Sequence, residues 1–137
     1  MTMAEPMKVK IITPDDLAYD GTATFISGQA IDGQFGIYPR HAQMVAVLDY
    51  KILNLDDEAG KRHHLAIFGG FIETGNNFVT IVTPECQLPA DIDVDRAQRA
   101  MERAKKRLAD INNPNIDVER AQLALRRALL RLSAVSC

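Results

Sequence analysis

IDVDRAQRAMERAKKRL, residues 92–108, and IDVERAQLALRRALLRL, residues 116–132, agree at 11 of 17 positions across an offset of 24 residues. In both, apolar residues return every three or four places, the period of one face of an α-helix. The first stripe is Ala97, Ala100, Met101, Ala104 and Leu108; the second is Val118, Ala121, Leu125, Ala128, Leu132 and Val135. Asp91, Asp93 and Asp95 place negative charge where a helix start favours it, and Asp117 is a fitting cap for the second helix. NNPN, residues 112–115, breaks the pattern because Pro114 cannot continue a helix. Two amphipathic helices joined by so short a break fold back as an antiparallel hairpin. The first stripe is rich in alanine, so the helices approach closely but bury little apolar area. Such a hairpin is marginal, suited to being docked or released.

Upstream of Pro89 the period is two. KVKII, residues 8–12, alternates and stops at Thr13-Pro14, which suits an edge strand entering a turn, and TATFI alternates again from Thr22. Asp32-Gly33 is a tight-turn signal, followed by Gly36 and Pro39. YKILNL and HHLAIF flank the polar loop DDEAGKR and read as a hairpin. GGFIETGNNFVTIV, residues 69–82, reads as a strand, a Gly75-Asn76-Asn77 turn and a second strand. Turn signals at this density are the rhythm of a β-sandwich or barrel. The chain therefore divides into a β unit, residues 1–88, and a helical unit, residues 89–137.

At 137 residues, with 47% hydrophobic and 25% charged, the composition is that of an ordinary globular domain with at most a small appendage. No apolar run nears the ~18 residues a membrane helix needs. Residues 1–7 lack the basic start and apolar core of a signal peptide, so the expected compartment is the cytoplasm. Cys86 and Cys137 have no metal-ligand spacing, and a disulfide is not expected in a reducing compartment. The net charge of −2 conceals a split. Residues 1–88 carry 6 Lys/Arg against 11 Asp/Glu, and residues 89–137 carry 10 against 7. No aromatic interleaves the basic tail, so nucleic acid is not its expected partner. A helical face meeting an acidic protein or a phosphate accounts for it, as does a solvated face.

No catalytic or metal-binding arrangement emerges. His63 and His64 are adjacent in a strand and point to opposite faces, and His41 stands alone. Gly69-Gly70 is followed by Phe71 and not by Lys-Ser/Thr, so the phosphate-cradling loop of nucleotide hydrolases is absent. What remains is the arginine echo, Arg96/Arg120, Arg103/Arg127 and Arg107/Arg131. Phosphates are held by several converging donors, and arginine offers a bidentate fork. Arg96 and Arg103 from one helix, with Arg127 and Arg131 from the other, converge if the hairpin is folded. Asp93 is then placed to accept from an exocyclic amine or a ribose hydroxyl. On the residues alone, surface charge and an acidic protein partner stand beside that reading.

KVKIITPDDLAYDG, DGQFGIYPRHAQMVAVL, AIFGGFIETGNNFVTIVT and DIDVDRA, in this order, resemble the epsilon subunit of the bacterial F-type ATP synthase, counterpart of the mitochondrial delta subunit. The resemblance runs from Met7 to about Val135. It implies a ten-stranded N-terminal β-sandwich followed by a C-terminal antiparallel two-helix hairpin, in a subunit without catalysis of its own. By resemblance the sandwich joins the gamma subunit to the ring of c subunits, with Gln34 facing the c-ring and His41 near gamma. The helices lie on the sandwich or extend toward the alpha/beta catalytic head, where they inhibit ATP hydrolysis and meet an acidic loop of beta. The implied location is peripheral, on the cytoplasmic face of the bacterial inner membrane, without insertion. In some members the motif I/L-D-x-x-R-A binds ATP as a regulatory ligand, with no cofactor required. Its positions here are Ile92, Asp93, Arg96 and Ala97, with Arg103, Arg127 and Arg131 as the further arginines. Where ATP-binding members are acidic just before the motif, this chain has Gln87, and the family's P-G-H-A-P is Pro39-Arg40-His41-Ala42-Gln43. Two alternatives share this scaffold: a free-standing ATP-binding sensor module, and an enzyme whose site assembles across subunits.

Overall fold

The computed structural model describes residues 5–110 and 112–137. Its strands are β1 (Met7–Ile12), β2 (Leu17–Ala23), β3 (Phe25–Ala30), β4 (Gly33–Ile37), β5 (Met44–Val47), β6 (Tyr50–Asp56), β7 (Arg62–Phe68), β8 (Phe71–Gly75), β9 (Phe78–Val82) and β10 (Cys86–Gln87). They form two five-stranded sheets, β2-β1-β9-β8-β5 and β10-β7-β6-β3-β4. Every pairing is antiparallel except β1 with β9. The alternating residues behave as the period-two reading requires. Val9, Ile11, Ile72 and Ile81 of the first sheet pack against Ile26, Leu53, Leu55 and Ile67 of the second, and all are buried. The ten-stranded sandwich with its helical appendage is as expected.

Two local expectations are corrected. KVKII is not an edge strand: β1 lies between β2 and β9. Pro14 falls beyond the last paired residue, Ile12, so its missing N–H removes nothing from the ladder. TATFI is not one strand either. The chain leaves the first sheet at Ala23 and enters the second at Phe25. Thr24, between them, donates both its N–H (2.8 Å) and its hydroxyl (3.3 Å) to the Asp56 carbonyl. A later crossing, from β7 in the second sheet to β8 in the first, is made by Gly69 and Gly70 at φ of +81° and +98°. A Cβ on Gly70 would collide with the Val82 carbonyl oxygen, so the pair is required by backbone geometry.

A single 3-10 turn, Pro89–Asp91, leads into α1 (Val94–Ala109), and α2 (Val118–Val135) follows. The repeat writes the same cap twice: Asp93 accepts from the Arg96 N–H and Asp117 from the Arg120 N–H, each at 3.1 Å. The helices run antiparallel, since Arg96 shares one cavity with Arg131 while Arg107 shares another with Arg120. Their seam is Ala97 and Ala104 against Ala121 and Ala128, all buried. α2 has a second buried face, which the single predicted stripe did not include. Leu130 and Ala134 pack with Ala66, Phe68 and Ile92 on the outer surface of the second sheet, with Tyr50 and Ile52 at the rim. The layers are thus first sheet, second sheet, α2, α1.

The outer face of the first sheet is bare among the described residues. Its cross-strand register lines up Val47, Phe71, Val82, Ile12 and Leu17, one from each strand. Val47 is 52% exposed, Phe71 48%, Leu17 43% and Ile12 37%.

Candidate functional site

Between α1, the end of α2 and β10 lies a cavity of about 340 Å³, lined by Glu85, Gln87, Asp91, Asp93, Arg96, Ala97, Ala100, Arg103 and Arg131. Helical spacing explains the α1 contribution: positions 93, 96, 97, 100 and 103 fall on one face. Glu85, just before β10, and Gln87, its last residue, line it from the β unit. Of the predicted nucleotide residues, Asp93, Arg96, Ala97, Arg103 and Arg131 come together here. Ile92 does not line the cavity, because it is buried in the α2–sheet contact. Arg127 is not in the lining either. It is half-buried, and its Nε is enclosed with no hydrogen-bond partner among the described residues. The in-register pairing also inverts in space: Arg96 meets Arg131, and Arg107 meets Arg120 across a separate cavity of about 290 Å³.

The three arginines of the larger cavity differ in availability. Arg96 and Arg103 are exposed and form no salt bridge among the described residues. Arg131 is engaged. Its Nε donates to Gln87 Oε1 at 2.7 Å, its Nη2 donates to Glu85 at 3.1 and 3.2 Å, and its guanidinium lies 4.7 Å over the Phe68 ring. One oxygen of Asp93 is used by the cap. The cavity is thus bordered by two guanidinium groups that can donate to an anion and by a second Asp93 oxygen that can accept a hydrogen bond. Beside the cavity, burial and the neighbouring Glu85 push the Cys86 thiol up to about 11, which keeps it protonated and inert at neutral pH.

Sequence reasoning missed the second clasp on α2. Arg126 donates to Asp49 Oδ1 and stacks 4.8 Å over Tyr50. Tyr50 and Phe68 are directly opposed across β6 and β7, with rings edge to face at 6.1 Å. The readable signal was leucine content: Leu123, Leu125, Leu129, Leu130 and Leu132 are too many for one seam. The predicted rotor residues lie apart from this site. Gln34 is exposed on the edge strand β4 and lines an open groove of about 690 Å³ that Arg126 also borders. His41 is exposed in the loop before β5, its Nδ1 3.0 Å from the Ala42 carbonyl oxygen. Arg40, at the family's glycine, adopts φ +63°, and its N–H is held by Asn77 Oδ1 at 3.0 Å. His63 and His64 turn to different partners, Asp57 and Asn54, as adjacent strand residues do.

A two-sheet sandwich with a two-helix hairpin held on one face is the architecture these residues build. The chain belongs to the ATP synthase delta/epsilon chain family: residues 6–88 match the model of its β-sandwich domain, and residues 90–136 the model of its long α-helix domain. It is accordingly a non-catalytic stalk subunit of the rotary complex. Two solved structures share the fold. A chain of the Euglena gracilis mitochondrial ATP synthase is 21% identical with a TM-score of 0.82, covering 100% of this chain and 85% of that one. A chain of the Tetrahymena thermophila mitochondrial ATP synthase central stalk and c-ring is 16% identical with a TM-score of 0.59, covering 98% and 99%.

Proposed function

We propose that the subunit joins gamma to the c-ring through its sandwich, and carries the hairpin as an arm that inhibits ATP hydrolysis when extended to the alpha/beta head. The observation that carries this is the unequal treatment of the two outer sheet faces. One holds α2. The other exposes the row Val47–Phe71–Val82–Ile12–Leu17. A row of apolar side chains crossing five strands is the kind of patch that a partner covers, and gamma is the partner this reading assigns. Gln34, on an edge strand, is assigned to the c-ring and His41 to gamma. No helix of the described residues is long and apolar enough to cross a membrane; the subunit is placed peripherally, at the cytoplasmic face of a bacterial inner membrane.

The test uses the assembled complex. Phe71→Asp puts a charge within the row and is expected to weaken gamma binding at least about tenfold, roughly the cost of burying an unpaired polar group. Unchanged binding would reject the docking face. Truncation before Asp91 removes the arm and is expected to retain assembly while raising ATP hydrolysis. Equal hydrolysis with and without the arm would remove the inhibitory reading. Recovery as a lone monomer with its own turnover, in place of co-purification with the membrane-bound ATPase, would overturn this reading.

The cavity supports a second reading, in which ATP is a regulatory ligand and not a required cofactor. Arg96 and Arg103 would take phosphate and Asp93 a hydroxyl or amine. Calorimetry on the isolated subunit at millimolar ATP tests it: Arg103→Ala should reduce the binding heat, and no heat from the unaltered subunit would rule out ATP as a ligand.

A further inference from the structure

We infer that Glu85 is an internal counter-ion that takes, at Arg131, the place of a ligand's anionic group, so that the hairpin closes on the sandwich without nucleotide. The inference rests on the reading of this cavity as the nucleotide site and of the hairpin as a movable arm. Arg131 is the α2 arginine of that cavity, and each of its three partners belongs to the β unit. Glu85 receives Nη2, Gln87 receives Nε, and Phe68 lies under the guanidinium plane. Gln87 is neutral, so among the described residues Glu85 is the one charge in contact with this fork. The side chains of the pair are 25% and 38% exposed, shielded enough for the ion pair to exceed the near-zero worth of a fully solvated one.

A second contact closes the same helix on the same sheet without touching the cavity. Arg126, five residues before Arg131, is bound to Asp49 and stacked on Tyr50. Between the two clasps Leu130 packs onto the sheet. Lifting α2 would therefore separate two guanidinium–carboxylate pairs and uncover Phe68 and Ala66, all of them contacts within the chain. A nucleotide entering the cavity finds Arg96 and Arg103 open but Arg131 occupied, and adds no contact that closure depends on.

Hydrogen exchange of the full-length subunit reads this directly, with the strands of the sandwich as internal control. Without nucleotide, amides of residues 126–134 are expected to be protected, and millimolar ATP is expected to change their exchange less than about twofold. Glu85→Gln should speed it roughly tenfold, as loss of one charge-assisted contact does. Arg131→Glu should do the same, and joining it to Glu85→Arg should restore protection to within about threefold of the original. Protection that arises only with ATP, or a double exchange no better protected than Arg131→Glu, overturns the inference. The calorimetric titration separates the two readings. Absence of ATP heat removes the ligand, while nucleotide-free protection with rescue by the charge swap still establishes Glu85 as the closing counter-ion.

Discussion

Gly70 sits where the chain passes from β7 in one sheet to β8 in the other, and at its left-handed φ a side chain would begin on a carbonyl oxygen. Gly70→Ala is expected to lower stability by about 2–3 kcal/mol, the upper part of the range for a single substitution, measured by chemical denaturation. Gly60, also left-handed but facing open space, should cost about 1 kcal/mol on the same change. Asp57 organises the β6–β7 turn: His63 is at 2.8 Å, and the Ala59 and Lys61 N–H groups are each at 2.9 Å. The bond to His63, then that to the Lys61 N–H, holds the Asp57 carboxyl below its ordinary value. Its folded pKa being the lower one, its stabilisation is complete above the unfolded value of about 3.9. That contribution is lost as pH falls through the folded value. Acid titration of stability should be shallower there in Asp57→Asn than in the unaltered protein. Caps and turns at this scale were legible because each is written within a few residues. The partner of Arg131 was not, because Glu85 lies 46 positions away and helical periodicity carries no information about it.

At the scale of elements, the 24-residue echo made both helices and the Asp117 cap readable, with Asp93 among three acids at the first helix start, and the alanine seam followed from spacing. Two things escaped it. An echo is a parallel alignment, whereas a hairpin reverses direction, so the spatial partners are Arg96 with Arg131 and Arg107 with Arg120. The second stripe of α2 was hidden by a reading that sought one face per helix, though its leucines exceed what a seam needs. Leu130→Ala should therefore loosen the hairpin by about 2–3 kcal/mol, the usual cost of a buried leucine truncated to alanine. Leu129→Ala, at 45% exposure, should cost well under ~1 kcal/mol. Exchange rates along α2 distinguish the pair. β1 shows the converse lesson. Thr13-Pro14 ends the strand correctly, but where a strand ends does not say how many neighbours it has.

Across the whole molecule, the acidic β unit and the basic helical unit meet through two arginine–carboxylate contacts. Both pairs retain solvent access, with Arg126 54% and Glu85 38% exposed. Raising salt from about 0.05 M to about 1 M shortens the Debye length roughly fourfold. The α2 amides should then exchange severalfold faster while β1 and β9 hold theirs, a difference that hydrogen exchange in the two buffers measures. The asymmetric faces of the sandwich were invisible in the sequence, since alternation names two faces of a strand without saying which sheet will be covered.

α1 buries only Ala97 and Ala104, both in its seam with α2. Among the described residues it has no comparable footing on the sandwich, so release of α2 would release the whole hairpin. With 16 and 18 residues, the two helices are about 24 and about 27 Å long. Folded, they stow that length against a small domain. Straightened end to end, they would carry Cys137 about 50 Å from the 3-10 turn before the linker is counted. If the hairpin also opened along its alanine seam, a few ångströms of movement at the Arg126 and Arg131 contacts would be followed by a displacement of the tip an order of magnitude larger.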